Sequence, residues 1–142
     1  MKKLKLGIVG AGFVANFHVK ALMQIRSIDV DGIVGIKGAE ELSAVVKKHG
    51  LGDGTVYQTI TEMANNVDAI AIYAPNFARV EIVTEIAEAV KKGAELKGLI
   101  CEKPLARNMQ EARQLIELAE GANLKTAYFE NQIFMKPIQA QL

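Results

Sequence analysis

Residues 6–22 read LGIVGAGFVANFHVKAL, which is an apolar run, a glycine-rich turn and a segment with helical periodicity. The stretch predicts a strand, a tight turn and a helix in direct succession. Gly10 allows the turn, Gly12 lets a phosphate approach the backbone, and Ala15 is small enough for the helix to pack on the strand. The pattern is typical of a turn that holds a dinucleotide pyrophosphate at a helix N-terminus. A strand–helix turn without a ligand is the alternative.

The first helix has one predicted apolar face. Its members recur at helical spacing and are expected to lie on the sheet: they are Phe13, Phe17, Ala21, Leu22 and Ile25.

Length and composition limit the classes of protein to consider. The chain has 142 residues, half of them apolar, which suffices for one domain with its own core. The net charge of +1 without a basic run favours neither nucleic acid nor an anionic membrane surface as partner. No stretch reaches the ~20 apolar residues of a membrane span. Cys101 is the only cysteine, which excludes an internal disulfide, and these features together predict a cytoplasmic protein.

Further strands are predicted along the chain at residues 30–35, 56–57, 67–73, 99–101 and 125–129, separated by helical segments. Six strands alternating with helices, with the glycine turn after the first, predict an α/β fold. This is a doubly wound parallel sheet of the Rossmann type with strand order 3-2-1-4-5-6. Residues 1–130 are the expected dinucleotide-binding domain. Residues 131–142 are expected to begin the crossover to a second domain that is absent.

Ligands of such sheets bind outside the carboxyl ends of the strands. The candidate cofactor-binding residues at this edge are Gly10, Ala11, Gly12, Phe13, Val14, Ile36, Lys37, Ala74, Pro75, Asn76, Glu102 and Lys103.

The choice between NAD and NADP depends on the end of the second strand. The acidic residue that usually holds the ribose hydroxyls of NAD is missing there, because Asp29 and Asp31 lie at the start of that strand. Lys37 is placed to meet the 2′-phosphate of NADP, or it is a solvated loop lysine. The sequence leaves the cofactor as NAD or NADP, with a slight preference for NADP.

Glu102-Lys103-Pro104 follows the fifth strand, where a nicotinamide and a substrate would meet. Lys103 could hold a substrate hydroxyl and transfer its proton. A surface ion pair of Glu102 with Lys103 explains the same residues. His18 is predicted to be a helix-surface histidine, His49 a helix C-terminal residue and Cys101 a core residue, and no metal site is predicted.

Gly10-Ala11-Gly12-x-x-Ala15, Ala74-Pro75-Asn76 and Cys101-Glu102-Lys103-Pro104-Leu105-Ala106 together resemble the glucose–fructose oxidoreductase / inositol dehydrogenase (Gfo/Idh/MocA) family. The resemblance implies an NAD(P)-dependent oxidoreductase that transfers a hydride between nicotinamide and a sugar, polyol or related hydroxyl or carbonyl substrate. Lys103 matches the family's catalytic lysine, and Pro75 and Asn76 match residues that line the dinucleotide. Arg79 stands where many members have histidine, and Ile36-Lys37 replaces an Asp-Arg type of pair.

The resemblance also implies a small-molecule substrate, a homo-oligomer and a C-terminal domain that completes the pocket. These residues alone are therefore expected to be inactive. The competing hypothesis is a non-catalytic dinucleotide-binding module with a redox-sensing or regulatory role. Ile133, Phe134, Met135 and Ile138 are expected to face water unless another surface covers them. Dimerisation through this segment, or its mobility, is the expected consequence.

Overall fold

The computed structural model describes residues 2–140 and contains one six-stranded sheet. The strands are β1 (Leu4–Val9), β2 (Ile28–Val34), β3 (Thr55–Val56), β4 (Ala69–Ile72), β5 (Gly98–Glu102) and β6 (Lys125–Phe129). All neighbouring strands are parallel, and their order is 3-2-1-4-5-6. The predicted α/β class and strand order are confirmed. Gln141 and Leu142 of the expected crossover segment, like Met1, lie outside the described residues.

Helices cover both faces of the sheet. They are α1 (Phe13–Leu22), α2 (Ala39–Lys48), α3 (Ile60–Ala64), α4 (Arg79–Lys91) and α5 (Met109–Gly121). A further short helix, α6 (Lys136–Gln139), lies after β6 and outside the cores. Residues of α1 and α2 share a core with β1 and β2, whereas α3, α4 and α5 pack on the opposite face. No helix within residues 2–140 is long and apolar enough to cross a membrane.

The central strand β4 is buried on both faces. All four of its residues are buried: Ile70 and Ile72 join the core under α4 and α5, and Ala69 and Ala71 face the other side. A parallel strand covered on both faces reads as a continuous apolar run, which is why the sequence identified it.

The predicted apolar face of α1 is wrong apart from Leu22, which packs against the core. Phe13 is 84% exposed and Phe17 is 63% exposed, whereas Ala15 and Val19 are buried. Apolar residues recur at helical spacing on two sides of the helix. The side with the smaller residues, Ala15 and Val19, faces the sheet. Ala15 permits this close approach, because a larger residue there would push α1 away from the strands.

A pair of glycines makes room for α3. Gly7 and Gly32 are opposite each other on β1 and β2. A methyl group on Gly32 would lie 2.6 Å from Met63 Cγ, and one on Gly7 would lie 2.9 Å from its Sδ. Met63 is completely buried in this hollow. A Thr59–Glu62 capping box begins the helix that carries Met63.

The chain after β6 leaves large apolar side chains in contact with solvent. A 3-10 helix, Asn131–Phe134, is followed directly by α6. Ile133, Phe134, Met135 and Ile138 are between 36% and 72% exposed. This apolar terminal segment, residues 133–138, lies outside the three cores of the domain.

Gly10→Ala is expected to destabilise the fold strongly. Gly10 has φ +93°, and a methyl group there would lie 2.7 Å from the Ala74 nitrogen. Backbone strain and the clash should lower the free energy of unfolding by about 2 kcal/mol or more, measured by urea denaturation. Gly121→Ala is the matched control, because nothing lies within 4 Å of its added methyl group. Equal stability of the two variants would contradict this account.

Candidate functional site

The strand order brings the predicted cofactor-binding residues to one edge of the sheet. Gly10 N–H donates to the Val34 carbonyl at 2.8 Å, which joins the turn after β1 to the end of β2. On the other side, the N–H groups of Tyr73 and Ala74 donate to the Val9 carbonyl at 2.8 and 3.2 Å. The carboxyl ends of β2, β1 and β4 therefore lie side by side.

The turn Gly10–Val14 has an open surface suited to a phosphate. Gly12 is the N-cap of α1, no side chain caps the helix, and its first turn has no acidic residue. A methyl group on Gly12 would meet nothing within 4 Å, so the space in front of the backbone is free. The first N–H groups of a helix have no partner within it and carry its positive dipole end. The residues present thus fit a dinucleotide pyrophosphate.

The loop between β2 and α2 folds against this turn. Gly38 has φ +78°, and a methyl group there would lie 2.8 Å from the Ala11 carbonyl oxygen. Ile36 and Lys37 are exposed on this loop. Asp29 and Asp31 lie at the opposite end of β2, as the sequence predicts. There they form ion pairs with Lys3 and Lys5, at 2.7 and 3.2 Å.

The loop after β4 holds the next three candidates. Ala74 is buried, Pro75 is exposed, and Asn76 begins a 3-10 helix that leads into α4. Arg79, at the start of α4, is buried and donates to the Ala74 carbonyl at 3.3 Å.

Arg79 also reaches the loop after β5. Its guanidinium donates to the carbonyl of Pro104 and, at 3.2 Å, to that of Leu105. Burial lowers the pKa of this guanidinium, which nevertheless stays charged at neutral pH. Arg79 therefore ties together the two loops on either side of the expected nicotinamide position. From the sequence, Arg79 was noticeable only as a departure from the family pattern. Its partners are backbone carbonyls, which every residue has, so the sequence could not indicate these contacts.

Glu102 and Lys103 do not form the surface ion pair considered from the sequence. Glu102 ends β5, and its Oε2 accepts the backbone N–H of Lys103 at 2.9 Å. Its Oε1 lies 2.8 Å from Nε2 of His18. The Lys103 side chain is exposed at the edge and forms no ion pair among residues 2–140.

His18 is not the plain surface residue that was predicted. Its ring packs against Tyr73 and Phe129, with centroid distances of 4.5 Å to each. The phenol of Tyr73 is partly buried near Glu102, and burial first, then that carboxylate, raise its pKa. His18 and Glu102 are 84 positions apart, so local periodicity could not reveal their contact.

Cys101 is a core residue, as predicted. It is buried, and burial raises the pKa of its thiol, which disfavours the reactive thiolate.

Comparisons with known proteins agree with this geometry. The model of an oxidoreductase family with an NAD-binding Rossmann fold, GFO_IDH_MocA, matches residues 4–129. Glucose-6-phosphate 3-dehydrogenase of Bacillus subtilis is 27% identical over 87% of this chain and 32% of its own length. Inositol 2-dehydrogenase/D-chiro-inositol 3-dehydrogenase of Lactiplantibacillus plantarum is 32% identical over 80% of this chain and 31% of its own.

A solved structure has the same fold. A probable dehydrogenase from Thermotoga maritima superposes with a TM-score of 0.74 at 25% identity, covering 92% of this chain and 37% of that one. The chain spans about a third of the length of the curated relatives it matches. With nearly all of its sequence matched by the family model, the chain belongs to the Gfo/Idh/MocA family of oxidoreductases and carries the family's NAD-binding Rossmann domain.

Proposed function

We propose that these residues bind NADP or NAD along the carboxyl edge of the sheet, in an oxidoreductase that interconverts a hydroxyl and a carbonyl group. The observation that carries the proposal is the position of Lys103. It follows β5, on the same edge as the open turn at Gly12 and separated from β1 only by β4. A dinucleotide bound across this edge would have its pyrophosphate at the turn and its nicotinamide near Lys103.

Each part of the dinucleotide has candidate partners. The backbone N–H groups of Phe13 and Val14 would hold the pyrophosphate. Ile36 and Lys37 flank the ribose position, and Ala74, Pro75 and Asn76 line the path towards Glu102 and Lys103. When bound, nicotinamide supplies the acceptor or donor of the hydride.

Lys103 is the candidate catalytic residue. For oxidation, its neutral amine would accept the proton of the substrate hydroxyl while a hydride leaves the carbon atom that bears this hydroxyl for the nicotinamide. For reduction, its ammonium would return that proton to the carbonyl oxygen. Glu102 forms no ion pair with this amine within residues 2–140.

Support for the substrate class comes from the relatives, which are named as dehydrogenases of a sugar phosphate and of inositols. Polyhydroxylated substrates of this kind present a secondary hydroxyl to a hydride acceptor. We infer a sugar, a polyol or a related compound as the substrate of the whole protein.

Support for NADP comes from the end of β2. Lys37 is the basic residue of the exposed loop that packs on the turn, and the loop lacks a carboxylate to bind the ribose hydroxyls of NAD. A 2′-phosphate would gain a charge-assisted hydrogen bond from Lys37.

We further infer self-association through the apolar terminal segment. Its four large side chains are exposed together, and covering them removes apolar surface from water. A second copy of the chain offers the same segment and can form a two-fold contact.

Gly12→Val is expected to abolish dinucleotide binding in a folded protein. The Cβ atom of valine would meet nothing within 4 Å, and the branched side chain would occupy the open space in front of the turn. Calorimetric titration with NADP(H) measures the loss, and circular dichroism checks the fold. Gly121→Val, at the far end of α5, is the matched control. Unchanged affinity in folded Gly12→Val would place the ligand elsewhere.

Lys37→Ala is expected to weaken NADP(H) binding about tenfold, the value of one hydrogen bond to a charged group. The Kd for NAD(H) should stay the same, since NAD lacks the 2′-phosphate. Lys47→Ala, in the last turn of α2, controls for the loss of one positive charge. Equal weakening towards both dinucleotides would count against this role of Lys37.

Removal of residues 131–142 is expected to convert a dimer to a monomer. Light scattering after size-exclusion chromatography should give about twice the chain mass for the full chain and a single mass for the version ending at Glu130. A full-length monomer whose tail resists proteases would argue against this contact.

A further inference from the structure

We propose that His18 is a positioning residue for the turn after β5 that carries Lys103, residues 102–104, here called the Lys103 turn. It fixes this turn through Glu102 and connects it to α1, the helix that begins at Gly12. The importance of the turn rests on the proposed function, whereas the contact itself does not.

One carboxylate joins the two elements. Oε1 of Glu102 lies 2.8 Å from Nε2 of His18, and Oε2 accepts the Lys103 N–H at 2.9 Å. The His18 and Glu102 side chains are only 20% and 13% exposed, so water competes weakly for this contact. With both oxygens engaged, the Glu102 side chain cannot rotate without breaking a hydrogen bond.

The chemistry of the pair determines which imidazole nitrogen carries the hydrogen. A carboxylate only accepts hydrogen bonds, so Nε2 of His18 carries the hydrogen and donates it. Phenylalanine would fill the same space against Tyr73 and Phe129 but would lack this donor. Glutamine would lack the ring but could offer an amide N–H at a similar reach.

Aromatic neighbours hold the imidazole in place. Tyr73 follows β4, and Phe129 ends β6, so the two rings lie on either side of the end of β5. The His18 ring is nearly parallel to that of Tyr73, at 17°, and tilted by 34° to that of Phe129. Packing on both rings aims Nε2 at Glu102.

The same helix begins at the phosphate-binding turn. His18 is six residues after Gly12, a distance of about 9 Å along a rigid helix. A displacement of α1 on binding a phosphate would therefore move the imidazole, and with it the Glu102 carboxylate. The position of the Lys103 turn is thus linked to that of the pyrophosphate site.

The test is hydrogen exchange at the Lys103 amide, measured by NMR on the full chain without a dinucleotide. His18→Phe should accelerate exchange at Lys103 about tenfold, as expected for losing support from one charged hydrogen bond. His18→Gln should restore slow exchange. His49→Phe, the same substitution at the exposed end of α2, is the control and should change nothing at Lys103.

Unchanged exchange in folded His18→Phe overturns the proposal. Exchange as fast in His18→Gln as in His18→Phe also overturns it, because a restored N–H donor would then fail to restore the support. Should His18→Phe not fold, the imidazole ¹⁵N spectrum of the wild-type chain decides: a hydrogen on Nε2 supports the contact, and one on Nδ1 alone overturns it. Failure of NADP(H) to bind the wild-type chain would instead overturn the proposed function.

Discussion

The candidate site depends on how closely the backbone at Gly10 approaches the backbone at Ala74. A single added methyl group would lie 2.7 Å from the Ala74 nitrogen, and the left-handed conformation of Gly10 excludes most other residues. This contact joins β1 to β4 at their carboxyl ends, where the strand order changes direction. The open turn at Gly12 and the loop that ends in Arg79 acquire their relative positions from it.

Two long-range side-chain contacts then position the turn that carries Lys103. Arg79 holds the carbonyls of Ala74, Pro104 and Leu105, whereas Glu102 connects the Lys103 backbone to His18. One contact comes from α4 and the other from α1, on opposite faces of the sheet. These two contacts hold the turn that carries the exposed amine of Lys103, as the proton transfer that we propose for it requires.

Sequence patterns were sufficient for the fold but not for the contacts within the site. The buried run of β4 and the glycine turn are local features, and each predicted its element correctly. The buried face of α1 could not be assigned, since Phe13 and Phe17 repeat at the same spacing as Ala15 and Val19. Glu102 lies 84 positions from His18, and the partners of Arg79 in the loop after β5 lie 25 and 26 positions from it, beyond any local pattern.

The hollow formed by Gly7 and Gly32 couples three positions of the core. Met63 fills it so completely that even alanine at position 32 would require the methionine to move. A shorter side chain at position 63 would leave a cavity beside two glycines, which an alanine in either strand could then occupy. Compensating substitutions at 7, 32 and 63 are therefore the expected route by which this part of the core diverges in evolution.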